Sequence, residues 1–147
     1  MAASLTFFNN WREAMARGVD VSTATFNVTL HSSSFVPDAE ADVVYADVSN
    51  ELSTANGYTN GGQALSSVTW TQSTTTCTLD AADTAWTASG GSITARYAVL
   101  RAVGTFNSQT DPLVCYILLD TTPADVTATD TNTLTLQWNA SGIIRQS

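Results

Sequence analysis

Near the start of the chain, Leu5, Phe8, Trp11 and Met15 recur at intervals of three and four, with Arg12, Glu13 and Arg17 between or beyond them. That spacing predicts an amphipathic helix, and Gly18 supplies its C-terminal stop. From Thr23 the period changes to two. Phe26, Val28 and Leu30 fall on one face and Thr25, Asn27, Thr29 and His31 on the other, which predicts a half-buried strand with His31 facing solvent. Pro37 and Asp38 open an acidic stretch around Val43, Val44 and Tyr45 whose period is ambiguous, and Asn56 to Gly62 reads as a turn-rich loop. Further strands are expected at Val68 to Trp70, Thr75 to Leu79, Ile93 to Val103, Leu113 to Leu119 and Thr133 to Trp138. Leu113 to Leu119 is apolar at both parities, so it is expected to be a central strand covered on both faces. Short strands with little helix predict an all-β fold, an antiparallel β-sandwich or Greek-key barrel with a short N-terminal helix. The expected organisation is a single domain, with a helical segment over 1–18 and the β-sandwich over 19–147.

Composition narrows the partners. The chain has 147 residues, 13 acidic and five basic, all five of them arginine, for a formal net charge of -8. Phosphate binding needs clustered Lys or Arg, so nucleic acid is not an expected partner. Hydrophobic residues make up 44% and charged residues 12%, which rules out an acidic disordered chain. The polar positions are instead filled by 24 Thr and 15 Ser, and the branched Cβ of threonine favours extended backbone. No apolar run reaches the roughly 18–20 residues of a membrane span. The opening residues Met1 to Leu5 carry no basic segment, so the chain is expected to be made in the cytoplasm without a secretory leader. Cys77 and Cys115 lie in strand-like runs and are expected to be buried free thiols.

Candidate chemistry is sparse. His31, the only histidine, lies beside Ser32, Ser33 and Ser34, but no nucleophile-elbow pattern accompanies it. The Asn56 to Gly62 loop lacks the Lys-Ser/Thr end of a phosphate-binding loop. Asp80 with Asp83, and Asp120, Asp125 and Asp130, match no calcium-loop spacing; turn-capping is the expected role of Asp80 and Asp83. Neither a catalytic residue nor a metal or cofactor site is therefore assigned. The aromatic stripe of the N-terminal segment reads either as a helix packed on its own core or as a surface that docks on a neighbouring subunit, and on the second reading Phe7, Phe8 and Trp11 are the expected subunit or capsid contacts. A surface of Thr, Ser and Asn without lysine loses little side-chain entropy on docking and leaves strand edges weakly protected, which points to an assembly.

Several segments in order carry a family resemblance: Ala16-Arg17-Gly18, Asn50-Glu51-Leu52, Gly57 to Gly62, Leu79 to Trp86, Ile93 to Leu100, Pro112 to Tyr116 and Thr135 to Ile143. Over roughly Gly18 to Ile143 the chain resembles small β-rich virion structural proteins of tailed bacteriophages. The resemblance implies a non-enzymatic capsid cement or decoration protein, a homotrimer binding the major capsid protein on the outer surface between its subunits and stabilising the shell. A tail, tail-tip or fibre component is the alternative within that setting. A carbohydrate-binding module is the alternative outside it, with Trp86 as the stacking platform in preference to Trp70 or Trp138.

Overall fold

The computed structural model describes residues 3–146. Met1, Ala2 and Ser147, which the expected segments and the leader reading include, lie outside the described residues. The expected all-β fold with a short helix is what the chain forms, with strands gathered in several antiparallel sheets.

The start departs from the helical period. Ser4–Phe7 forms strand β1, paired antiparallel with Leu113–Leu118 much later in the chain, and helix α1 occupies only Asn9–Ala16. Leu5 therefore belongs to an edge strand. No side chain caps the helix start; instead the Ala39 carbonyl accepts the Asn9 N–H at 2.8 Å, a loop supplying the partner a capping residue would give. Gly18 ends the helix as expected. At φ 72° it donates to Met15 while Val19 donates to Ala14, the paired bonds of a Schellman turn.

Strand β2, Thr25–His31, is followed by a 3-10 turn at Tyr45–Asp47 and by β3 at Gln63–Ala64, β4 at Thr69–Ser73 and β5 at Thr76–Asp80. Then come β6 at Thr84–Thr87, β7 at Ile93–Ala95, β8 at Tyr97–Val103, β9 at Thr105–Phe106 and β10 at Gln109–Thr110. The Leu113–Leu118 strand is β11, and Val126–Ala128, Thr133–Leu136 and Ile144–Gln146 are β12, β13 and β14. The pairings β5 with β14, β6 with β13, β7 with β12, β8 with β11 and β9 with β10 share one antiparallel sense and a nearly continuous register. Thr76 to Gln146 is thus one long hairpin folded back on itself. Its tip is Asn107 and Ser108, both at positive φ, 50° and 63°, which is the two-residue turn that matches the twist of paired strands.

Around this ribbon, β11, β8 and β2 form the middle of a five-stranded sheet edged by β1 and β3, and β4 adds a third strand beside β5. As expected, Leu113–Leu118 is interior to the sheet, with most of its side chains buried whichever way they point. One sheet face carries Phe26, Val28, Leu30, Ala98, Leu100 and Ala102 into the main core. The opposite face carries Thr29, His31, Val99 and Arg101, and it is not open to solvent. Phe8, Phe35, Val99 and Leu113 build a second cluster there, closed by Tyr45, Val48, Tyr97 and Tyr116. The segment from Phe35 to Val48 roofs what alternation reads as a polar face. Thr29 and His31 are consequently buried, which corrects the expectation of a solvent-facing histidine. Cys115 is buried as expected, whereas Cys77 is exposed, because β5 is covered on one face only.

Candidate functional site

The aspartates singled out in the sequence sit where the folded ribbon breaks. Between β5 and β6, Asp80 Oδ1 accepts the Ala81 N–H at 2.9 Å, and Asp83 Oδ1 reaches across to accept the Trp138 N–H at 2.9 Å. At the break between β6 and β7, Asp130 Oδ1 accepts the Gly90 N–H at 2.8 Å. Between β7 and β8, Arg96 Nε meets Asp125 at 2.7 Å, and Asp120 accepts both the N–H and the hydroxyl of Thr122. Those last two bonds hold the Asp120 carboxyl below its ordinary value. The turn role expected for Asp80 and Asp83 extends to Asp120 and Asp130, whereas Asp125 pairs with Arg96. Among the described residues no group of three or more His, Cys, Asp or Glu is placed to hold a metal ion.

Concentrated polar chemistry lies elsewhere, under the roof segment. Glu51 Oε1 accepts the Tyr58 hydroxyl at 2.7 Å and the Gly61 N–H at 2.6 Å, and Glu51 Oε2 accepts the Tyr45 hydroxyl. The Tyr45 ring in turn lies over the Arg101 guanidinium, 3.8 Å from its carbon. Arg101 donates to Asp111 Oδ2 at 2.5 Å and to the Gly61 carbonyl at 3.3 Å, while Asp111 Oδ1 accepts the Gly104 N–H at 2.7 Å. Burial, with the hydrogen bond to the Glu51 carboxylate added, pushes the Tyr45 phenol up to about 12. Burial raises Tyr58 as well. Both tyrosines therefore remain donors at every physiological pH, and three donors occupy most of the acceptor sites of Glu51. The cluster ties the roof and the Tyr58 loop to the sheet. A shallow groove of about 750 Å³ borders it, between Val44–Val48 and Ser108–Asp111.

His31 is part of the same layer. Its Nδ1 is 2.8 Å from the Ser49 carbonyl, which can only accept, so Nδ1 carries the hydrogen. Nε2 then accepts the Thr29 hydroxyl at 2.9 Å, and the ring packs on Phe35 with centroids 4.7 Å apart. Burial holds its pKa below the ordinary value, keeping the imidazole neutral. Among the described residues no serine hydroxyl is bonded to it, so the neighbouring Ser32 to Ser34 form no relay with His31.

Of the expected contact residues, Phe8 and Trp11 are enclosed by the chain itself, and Phe7 is half-buried at the end of β1. Phe8 packs edge-on against Tyr116, and Trp11 against Phe26. Trp86 is also a core residue, beside Tyr58, so it has no open ring face to offer a sugar. Sequence reasoning missed the Glu51 cluster because its members come from four separate segments. The one local signal is Glu51 just ahead of a glycine-rich loop that carries Tyr58.

No family model, no curated protein and no solved structure matches this chain. Among the described residues no helix is long and apolar enough to cross a membrane.

Proposed function

We propose that this protein is a non-enzymatic structural component of a tailed-bacteriophage particle, a cement or decoration protein that binds the outer capsid surface between major capsid subunits. The observation that carries this reading is where the polar chemistry goes. The groups that could act on a substrate, His31, Glu51, Tyr58 and Arg101, are bonded inward, while the outward positions are threonine- and serine-rich strands. Strands β1, β4 and β13 each pair on one side only among the described residues, and none carries a lysine or another charge to block a further strand. Such edges suit a subunit whose partners cover them. By binding only the assembled lattice, it draws the shell equilibrium away from disassembly.

The test is made on particles of the phage that encodes the chain. Purified virions should contain it at a fixed, high ratio to the major capsid protein, and capsids lacking it should open at lower temperature. A copy number of only a few per particle would move it to the tail, and capsids equally resistant without it would remove the cement role.

A further inference from the structure

An apolar groove of about 250 Å³ lies between α1 and β14, lined by Phe7, Trp11, Met15 and Ile144 and flanked by Arg12 and Arg145. Its charge is unusual for this molecule. Of the five arginines, Arg17, Arg96 and Arg101 are in ion pairs with Glu13, Asp125 and Asp111, whereas the two beside the groove form none among the described residues. An occupant should therefore bring an apolar side chain together with carboxylates.

The chain itself displays that combination. Val36 is 81% exposed, far more than any other large hydrophobic residue described, and Asp38, Glu40 and Asp42 follow it within six positions. The loop is held in shape on both sides of Val36. Phe35 is anchored in the second core, and the Asp38 carboxylate accepts the N–H groups of Glu40 and Ala41 at 2.9 and 3.0 Å. The Asp42 carboxylate accepts the Asp38 N–H at 2.9 Å, closing the turn. A loop already ordered loses little entropy when it docks.

We propose that this chain docks on a second copy of itself, with Val36 of one copy in the α1–β14 groove of the next and the acidic loop against Arg12 and Arg145. Such a contact joins two different surfaces, so repetition closes into a ring if the rotation allows and the expected trimer is one such closure. The inference goes beyond the function proposed above, which names the capsid and not a second copy as partner, and it is independent of where the assembly resides.

Sedimentation of the full chain over a concentration series tests it. The wild type should self-associate, and Val36→Asp and Arg145→Glu should each weaken association by roughly tenfold or more, the scale of losing one interface anchor. Both positions are exposed, and circular dichroism checks that the variants fold. Combining Arg145→Glu with Glu40→Arg should restore association, and raised salt should weaken it. A wild type that stays monomeric, association indifferent to Val36→Asp or Arg145→Glu, or a double variant no better than Arg145→Glu would each overturn the proposal. So would a monomer whose groove binds an acidic peptide instead. Capsid binding by a monomeric wild type would overturn self-docking while leaving the cement role standing.

Discussion

The Tyr58 hydroxyl accepts the backbone N–H of Leu30 at 3.0 Å, so a side chain completes the hydrogen bonding of β2 beyond the last residue that β3 pairs. The Leu30 carbonyl is met separately by the Leu52 N–H at 2.9 Å. The loop over 51–62 thus serves as an irregular continuation of the sheet edge.

Replacing Tyr58 by Phe strands the Leu30 N–H and takes from Glu51 Oε1 one of its two donors, leaving it the Gly61 N–H. Because Tyr58 is buried, the expected loss is about 1–3 kcal/mol of unfolding free energy. Urea denaturation should show a lower midpoint with an unchanged slope. An unchanged midpoint would mean that water replaces the hydroxyl.

His31 makes stability depend on pH in a defined sense. Its folded-state pKa lies below the ordinary 6.5. The unfolded chain therefore binds the proton more readily, and stability is full above the unfolded value and declines as pH falls below it. The melting temperature should drop between pH 8 and pH 5.5, and His31→Gln should flatten that dependence even though it lowers stability overall. Asp20, Asp38 and Asp120 act in a lower window. Their folded values are depressed below 3.8, so their contribution is present above that pH and lost only in stronger acid.

Two glycines with the same backbone angle separate steric clash from conformational strain. Gly62 and Gly90 both have φ 77°, but a Cβ on Gly62 would lie 2.0 Å from the Val28 carbonyl oxygen, whereas one on Gly90 would meet nothing within 4 Å. Gly90→Ala should cost about 1 kcal/mol and Gly62→Ala at least about 2 kcal/mol more, both read by denaturant unfolding. Equal losses would show that the loop shifts freely away from β2.

The two cysteines should differ as thiols. Cys77 is exposed on β5, while burial shields Cys115 and raises its pKa. A thiol reagent should modify one equivalent in the native protein and two after denaturation. Rapid native modification of both would show that β11 opens.

Strand content was legible where alternation or a continuous apolar run stood alone, as at Leu113 to Leu119, and so was the glycine stop at Gly18. His31 was misread for a specific reason. Alternation reports which residues share a face, but whether the second face is roofed depends on a distant segment, here Phe35 to Val48, which has no regular period of its own. Leu5 failed similarly: its spacing to Phe8 is compatible with a helix, yet pairing with Ile117 decides the matter. The Glu51 cluster was invisible because Tyr45, Tyr58, Arg101 and Asp111 become neighbours only after the sheet forms.

The folded hairpin constrains how the molecule is made. Phe106 and Gln109 pair across a two-residue turn, whereas Cys77 pairs with Gln146, so closing the ribbon from its tip outward keeps each successive loop short. The three-stranded sheet of β4, β5 and β14 cannot exist until Gln146 has been synthesised, although β4 and β5 are complete much earlier. Before β14 joins, β4 and β5 can pair only as a two-stranded hairpin, and the groove between α1 and β14 is incomplete. A chain without β14 thus lacks one wall of that groove, even with α1 and the β4–β5 hairpin in place.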